Sequence, residues 1–147
     1  NDDSYVNDPI KASDSRWVHR HVINWEKAEL RHTTGTVEYA IFTALKRMIA
    51  VHKETGIFAD FNNRDLVEVE NPHLFVFERY DINRVSERIL VVANFDGKPQ
   101  NLDLDSLASW GAPHYGQLVD LYTGQRPEIF KNTLVVPGFS FYWLYEM

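Results

Sequence analysis

The chain contains no cysteine among its 147 residues. This absence excludes disulfide bonds, iron–sulfur clusters and thiolate zinc sites, which all need cysteine sulfur. No apolar run approaches the roughly 18 residues of a membrane-spanning helix. The polar start Asn1-Asp2-Asp3 is not that of a signal peptide. Since it is typical of a loop interior, we expect the chain to be a fragment of a longer protein.

The short motifs of several enzyme classes are also missing. No serine lies in a Gly-x-Ser-x-Gly elbow, and the seven glycines are dispersed instead of forming a phosphate-binding loop. The net charge of −6 argues against binding to nucleic acids or anionic membranes, because both depend on basic clusters. By motif, the chain contains no catalytic residues of its own.

Aromatic residues, in contrast, are plentiful at 14% of the chain, and many lie in short alternating runs of the second half. Aromatic side chains suit a half-buried pleated surface, so the first interpretation is the core of a β-sandwich. The alternative is a sugar-stacking platform around Trp110 and its aromatic neighbours. This alternative would make the chain a carbohydrate-binding module.

The chain changes character twice. Residues 1–33 are polar and irregular, which is unusual for so long a stretch of a compact domain. Residues 36–54 predict one amphipathic helix, with Thr34 or Thr36 as N-cap and Gly56 as the stop. The apolar stripe of this helix needs a partner that residues 1–33 do not offer. It comprises Val37, Ile41, Ala44, Leu45, Met48 and Val51.

From residue 60 onward the hydrophobic period is two, as in β-strands. Short alternating runs separated by turn residues predict a mainly β fold, an antiparallel β-sandwich. The continuously apolar run 89–93 indicates a central strand. The seven predicted strands are 66–70, 73–80, 88–95, 99–104, 115–122, 133–136 and 139–146.

Two clusters suggest a metal. His19, His21 and His32 carry imidazoles, which are common zinc ligands, but no acidic residue is spaced to complete the site. The acidic start lacks the glycine and the closing glutamate of a calcium loop. We therefore interpret both as solvated loops and expect no metal.

Residues 13–21 form a polar loop with Arg16, Trp17 and Arg20 just before the helix. An arginine fork can pair with a carboxylate through two parallel hydrogen bonds, which fixes geometry better than a lysine. On composition alone, an exposed loop arginine is the simpler interpretation.

Five segments resemble the C-terminal region of amylosucrases, the sucrose-acting transglucosidases of glycoside hydrolase family 13, the α-amylase family. The related sucrose hydrolases are similar over the same region. The segments are SDSRWVHR at 13–20, NWEKAELRH at 24–32, LKRMIAVHK at 45–53, VDLYTGQ at 119–125 and LVVPGFSFYWL at 134–144.

The resemblance implies a place for each part of the chain. Residues 1–33 would be the loop after strand eight of a (β/α)8 barrel, and the helix would be the eighth of that barrel. Residues 1–59 would thus end the catalytic barrel, and residues 60–147 would form the C-terminal sandwich. The partner would be the rest of the barrel, and no cofactor is implied.

The resemblance also implies a role for Arg16. In amylosucrase-like enzymes an aspartate attacks the glucosyl carbon and a glutamate protonates the leaving fructose; both lie upstream of this region. The matching arginine pairs with an aspartate at the base of the glucose subsite. Arg16 would therefore be a substrate-binding residue for sucrose, in a chain that is inactive alone.

A stand-alone carbohydrate-binding or interaction sandwich remains the alternative, and a purely structural sandwich is a third. The helix 36–54 distinguishes the first two, because a stand-alone module should cover its own apolar stripe. An uncovered stripe would favour self-association. The sequence does not decide whether the parent hydrolyses sucrose or synthesises a glucan, or which acceptor it uses. It also leaves the compartment and the oligomeric state open.

Overall fold

A computed structural model describes residues 4–14, 16, 23–110 and 118–146 of the chain. The chain divides into two compact units, Asn1–Lys46 and Arg47–Met147. The proposed division into residues 1–59 and 60–147, and the barrel origin of the first part, stay predictions. No helix in the described ranges is both long and apolar enough to cross a membrane.

The first unit contains short helices where the sequence predicts irregular structure. Two have capping side chains: Asp8 accepts hydrogen bonds from the N–H groups of Ile10 and Lys11, and Asn24 accepts one from Lys27. Such caps satisfy N–H groups that a first helical turn leaves unpaired. The segments are a 3₁₀ turn at Ser4–Asn7, α1 at Pro9–Ala12, α2 at Trp25–Glu29 and a 3₁₀ turn at Leu30–His32.

The predicted long helix is confirmed as α3, Val37–Glu54. Thr36 is its N-cap, since the Thr36 Oγ1 accepts a hydrogen bond from the Tyr39 N–H at 3.1 Å. Glu38 lies in the first turn and Lys53 in the last. Both charges therefore have the favourable sign for the helix dipole.

In the described part of the second unit, eight strands form two antiparallel sheets. The five-stranded sheet has the order β1-β2-β3-β8-β5, and the three-stranded sheet has the order β4-β7-β6. This confirms the predicted mainly β fold with an antiparallel sandwich. The strands are β1 Arg64–Leu66, β2 Leu74–Asp81, β3 Arg84–Asn94, β4 Gln100–Asp103, β5 Leu118–Asp120, β6 Ile129–Phe130, β7 Thr133–Val136 and β8 Phe141–Glu146.

Two strands differ from the sequence prediction. The run at 66–70 forms a strand only at Leu66, and β1 begins at Arg64 instead. Strand β6 was not predicted; it pairs with β7 through a tight turn in which Lys131 and Asn132 both have positive φ, 46° and 63°. Two consecutive positive φ angles are the signature of the turn that matches the twist of a hairpin.

The main core lies between the two sheets, and a smaller core lies on the other face of the five-stranded sheet. The central strand β3 contributes buried side chains to both cores. Leu90 and Val92 point into the sandwich, whereas Ile89 and Val91 pack with Ile57 and Phe58 on the other side of the five-stranded sheet. Burial on both faces explains the continuously apolar run 89–93. The sandwich core comprises Leu74, Val76, Leu90, Val92, Leu102, Leu104, Leu107, Leu118, Leu134, Val136 and Leu144.

Candidate functional site

The fork of Arg16 is held by Asp14, two residues earlier. Arg16 Nε donates to Asp14 Oδ1 at 3.0 Å and to Oδ2 at 2.9 Å, and Arg16 Nη2 donates to Oδ2 at 2.7 Å. This hydrogen bonding raises the pKa of the Arg16 guanidinium. The side chain is nevertheless 71% exposed. The loop therefore presents a fixed, charged guanidinium on its surface.

The orientation of the Arg16 guanidinium leaves N–H donors that can bind a further group. Guanidinium groups carry five N–H donors in a plane, and Asp14 engages the edge formed by Nε and Nη2. The Nη1 group has no hydrogen bond to any of the described residues. Arg16 can thus keep Asp14 and donate to a second carboxylate or to a sugar hydroxyl at the same time.

The other predicted residues of this region contribute no described site. Trp17, His19, Arg20 and His21 lie outside the described residues. His32 lies in a 3₁₀ turn, with Nε2 4.0 Å from a Glu29 carboxylate oxygen and its ring edge against Phe42. Within the described part of the chain, no three metal-binding side chains come together.

Alternate aromatic residues of β8, Phe141, Trp143 and Tyr145, line the outer face of the five-stranded sheet, whereas Tyr142 packs on the sandwich core at the opposite face. Trp143 lies centrally, with ring centroids 5.0 Å from Phe58 and 5.6 Å from Phe141. Tyr122 contacts both Phe141 and Trp143, at 5.1 Å and 6.4 Å. These rings pack mainly on one another, as aromatic side chains in sheets commonly do. The side chain of Trp110 lies outside the described residues.

Asp120 is a buried carboxylate that sequence reasoning did not single out. It is only 1% exposed, in the VDLYTGQ segment at the end of β5. Its Oδ1 accepts from the N–H of Trp143 at 2.9 Å, and its Oδ2 accepts from the N–H and hydroxyl of Thr123 at 3.0 Å and 2.7 Å. A carboxylate so fully used is a structural anchor, tying the turn after β5 to β8.

A signal for Asp120 exists in the sequence. The hydroxyl of Thr123 lies three residues after the carboxylate, and Gly124 adopts a positive φ of 73°. Aspartate followed by threonine and glycine at these offsets is turn chemistry. The same pattern is common in exposed turns, however, so the burial of Asp120 could not be inferred from it.

Arg79 is the second buried polar group outside the sequence predictions. It is 9% exposed, and its Nε and Nη2 donate to Asn63 Oδ1 at 3.1 Å and 2.8 Å. Nη2 also donates to the carbonyls of Phe58 and Asp60. Desolvation by burial lowers the pKa of Arg79. These hydrogen bonds hold the segment that covers the outer face, which again is a structural role.

A comparison with protein families identifies the sandwich. The family model described as Maltogenic Amylase, C-terminal domain, matches residues 64–143. The match begins at the first residue of β1 and ends within β8, so it spans both sheets. It covers more than half of the 147 residues.

Proposed function

Because the chain belongs to the family of maltogenic amylase C-terminal domains, as the C-terminal domain of an α-amylase-family enzyme, we propose that its parent is an amylosucrase-like enzyme that cleaves sucrose. The parent transfers the glucosyl unit to water or to a glucan by retaining double displacement. The nucleophilic aspartate and the acid glutamate lie upstream of this chain. The chain contributes the sandwich and one wall of the glucose pocket.

The observation that carries this proposal is the geometry of Arg16. Its place in Asp14-Ser15-Arg16-Trp17 matches the pocket-closing arginine of amylosucrase-like enzymes. Its guanidinium is exposed and oriented by Asp14, which leaves Nη1 for a carboxylate at the base of the glucose subsite. A charge held in this way closes the far end of a pocket, so that the pocket accepts a terminal glucosyl unit.

The exposed apolar face of helix α3 supports the proposal that the catalytic barrel of the parent is the partner of this chain. Four apolar residues spaced four apart remain exposed: Val37 at 69%, Ile41 at 56%, Leu45 at 52% and Ile49 at 54%. Residues four apart lie on one face of a helix. Of the predicted stripe, Val51 is buried, and Ala44 and Met48 are half-buried. A stand-alone module would be expected to cover this face, whereas the last helix of a barrel packs it on neighbouring helices and strands.

The substrate of the complete enzyme tests the proposal. We expect the enzyme expressed from its full reading frame to release fructose from sucrose. We expect the 147-residue chain alone to release none, because the proposal places both catalytic carboxylates in the catalytic barrel of the parent. Fructose is quantified enzymatically, with starch as the parallel substrate. Maltose release from starch without any cleavage of sucrose would contradict the proposal.

Self-association of the chain is the expected consequence of the exposed face of α3. At high protein concentration, sedimentation velocity should show dimers or larger species, because burying this face removes apolar surface from water. Replacing Ile41 and Leu45 together by lysine should restore the monomer. Thr43→Lys, at another exposed position of the same helix, is the matched control. A wild-type chain that stays monomeric would contradict this prediction.

A further inference from the structure

A cleft with two arginines lies beside the edge strand β1 of the five-stranded sheet. Its volume is about 410 Å³, at the lower end of the range of about 300–1,000 Å³ that is usual for binding pockets. Two guanidinium groups and one carboxylate give it a net positive charge. We call it the β1–β2 cleft; it is lined by Arg64, Asp65, Leu66, Phe75, Phe77 and Arg79.

The apolar side of the β1–β2 cleft continues a sheet face that the chain covers only in part. Leu66 pairs with Phe77, and Phe77 pairs in turn with Val91 of the central strand. Val91 packs with Phe58 and is 7% exposed, whereas Leu66 is 67% exposed and Phe75 is 47% exposed. The exposed part of this apolar face therefore lies at the cleft.

The two arginines of the cleft lie directly opposite each other. Arg64 pairs with Arg79 in the register of β1 and β2, and like charges at such positions are destabilising. Burial and, after it, the charge of Arg64 lower the pKa of Arg79, whereas the Asp60 carboxylate acts in the opposite direction.

Neither guanidinium has a carboxylate as its hydrogen-bond partner among the described residues. Arg79 donates to the side-chain oxygen of Asn63 and to two backbone carbonyls, which are all uncharged acceptors. Arg64 has no hydrogen bond and no ion pair with any described residue. An anion in the cleft would therefore stabilise both charges.

The size of the cleft decides which kind of partner it fits. A separate protein would need about 1,000 Å² of complementary surface, more than a few side chains at an edge strand provide. A tethered segment of the same polypeptide needs far less, because tethering gives it an effective concentration in the millimolar range. The same sheet face is already covered by residues 57–58, which follow α3 closely along the chain.

We propose that the β1–β2 cleft receives an acidic side chain of the parent's catalytic barrel, together with a neighbouring apolar one. The carboxylate pairs with Arg64 and lies near Arg79, while the apolar side chain packs on Leu66 and Phe75. This inference rests on the proposed function, in which a barrel is tethered to the sandwich through α3. The cleft thus joins the two domains and has no part in cleaving sucrose.

Labelling of an introduced thiol measures whether the cleft is covered. The chain has no cysteine, so Leu66→Cys gives it a single thiol. Iodoacetamide, which is uncharged, should react at least about tenfold more slowly in the complete enzyme than in the dilute 147-residue chain, because it must wait for the contact to open. The complete wild-type enzyme provides the blank.

A matched control excludes a general effect of the larger protein. Phe130 is also 67% exposed but lies in the three-stranded sheet, so Phe130→Cys should react equally fast in both proteins. Phe75→Cys, on the same face as Leu66, is the second reporter if Leu66→Cys impairs folding.

The charge of Arg64 is tested in the same assay, through the ratio of the two labelling rates. Arg64→Ala should reduce the protection about tenfold, the effect of one lost hydrogen bond to a charged group. Salt at about 1 M should also reduce it, since it screens the ion pair. Arg126→Ala, at another exposed arginine, should leave the protection unchanged. In the isolated chain, Arg64→Ala should not lower the melting temperature, because it removes a like charge opposite Arg79.

Each failure has its own signature. If labelling is slowed in a complete protein that does not cleave sucrose, the proposed function fails and the docking surface stands. Equal labelling rates in the complete enzyme and the chain would overturn the inference, whatever the substrate. Protection that is insensitive to Arg64→Ala and to salt would also overturn it, because an apolar contact alone would then cover the cleft. Protection that varies with protein concentration would show a second copy in the cleft, contrary to the proposal.

Discussion

Replacing Arg16 by alanine in the complete enzyme is expected to lower kcat/KM for sucrose by at least about a hundredfold. The exposed guanidinium would pair with the carboxylate at the base of the glucose subsite, and it would thereby hold the glucosyl ring at reacting distance. Displacement of a reactant by about 1 Å can cost about a hundredfold in rate. Steady-state kinetics of fructose release measure the effect.

Three variants make this test specific to the fork. Arg16→Lys should recover little activity, since a point charge cannot reproduce a planar pair of N–H donors. Asp14→Ala should lower kcat/KM less than Arg16→Ala, because it removes the group that orients the guanidinium and leaves the charge in place. Arg20→Ala should have little effect if Arg20 is only a loop charge. Sucrose turnover near the wild-type value in Arg16→Ala would show that the pocket role is wrong.

Replacing Asp120 by alanine is expected to lower the free energy of unfolding by about 3 kcal/mol, since each buried N–H left without an acceptor costs about 1–3 kcal/mol. The variant deprives the N–H of Trp143 and the N–H and hydroxyl of Thr123 of their shared acceptor.

Urea denaturation followed by tryptophan fluorescence measures this loss in the isolated chain. Asp120→Asn should be less harmful, because the amide oxygen can still accept one of the hydrogen bonds. Asp65→Ala is the matched control: Asp65 lies exposed on the edge strand β1, and surface substitutions of this kind usually stay within about 0.5 kcal/mol. Equal midpoints for Asp120→Ala and Asp65→Ala would contradict an anchoring role for Asp120.

The long elements could be predicted from the sequence because their residues report one period over many positions. Helix α3 has 18 residues, enough to repeat its apolar spacing several times. In β3, the apolar run 89–93 predicted a central strand, and β3 has a neighbour on each side, β2 and β8. Because both faces of β3 are buried, polar and apolar residues do not alternate in this run. The unbroken apolar run is therefore what predicts a central strand.

The short elements could not be predicted in the same way. Strand β6 has two residues, and α1 has four, so neither shows a period. Strand β6 exists because β7 supplies its hydrogen-bond partners, and α1 begins where Asp8 caps the first turn. Pairing and capping depend on where neighbouring groups lie in space.

For the candidate site, too, one part could be predicted from the sequence and another part could not. Arg16 was identified from the resemblance of residues 13–20 to amylosucrases, whereas on composition it is an ordinary loop arginine. Its pairing with Asp14 became visible only in the structure, because a bidentate contact depends on side-chain orientation.

By itself, the sequence determined the class of the fold, the position of α3 and the sandwich, because hydrophobic periodicity is a local property of the chain. It also excluded cysteine chemistry. Only the tertiary structure decided which polar groups became anchors: Asp120, Arg79 and Asn94 are all buried, and each has at least one hydrogen-bond partner distant in sequence. The physical reason is that burying a polar group is tolerated only where the fold supplies every hydrogen bond that water would have made.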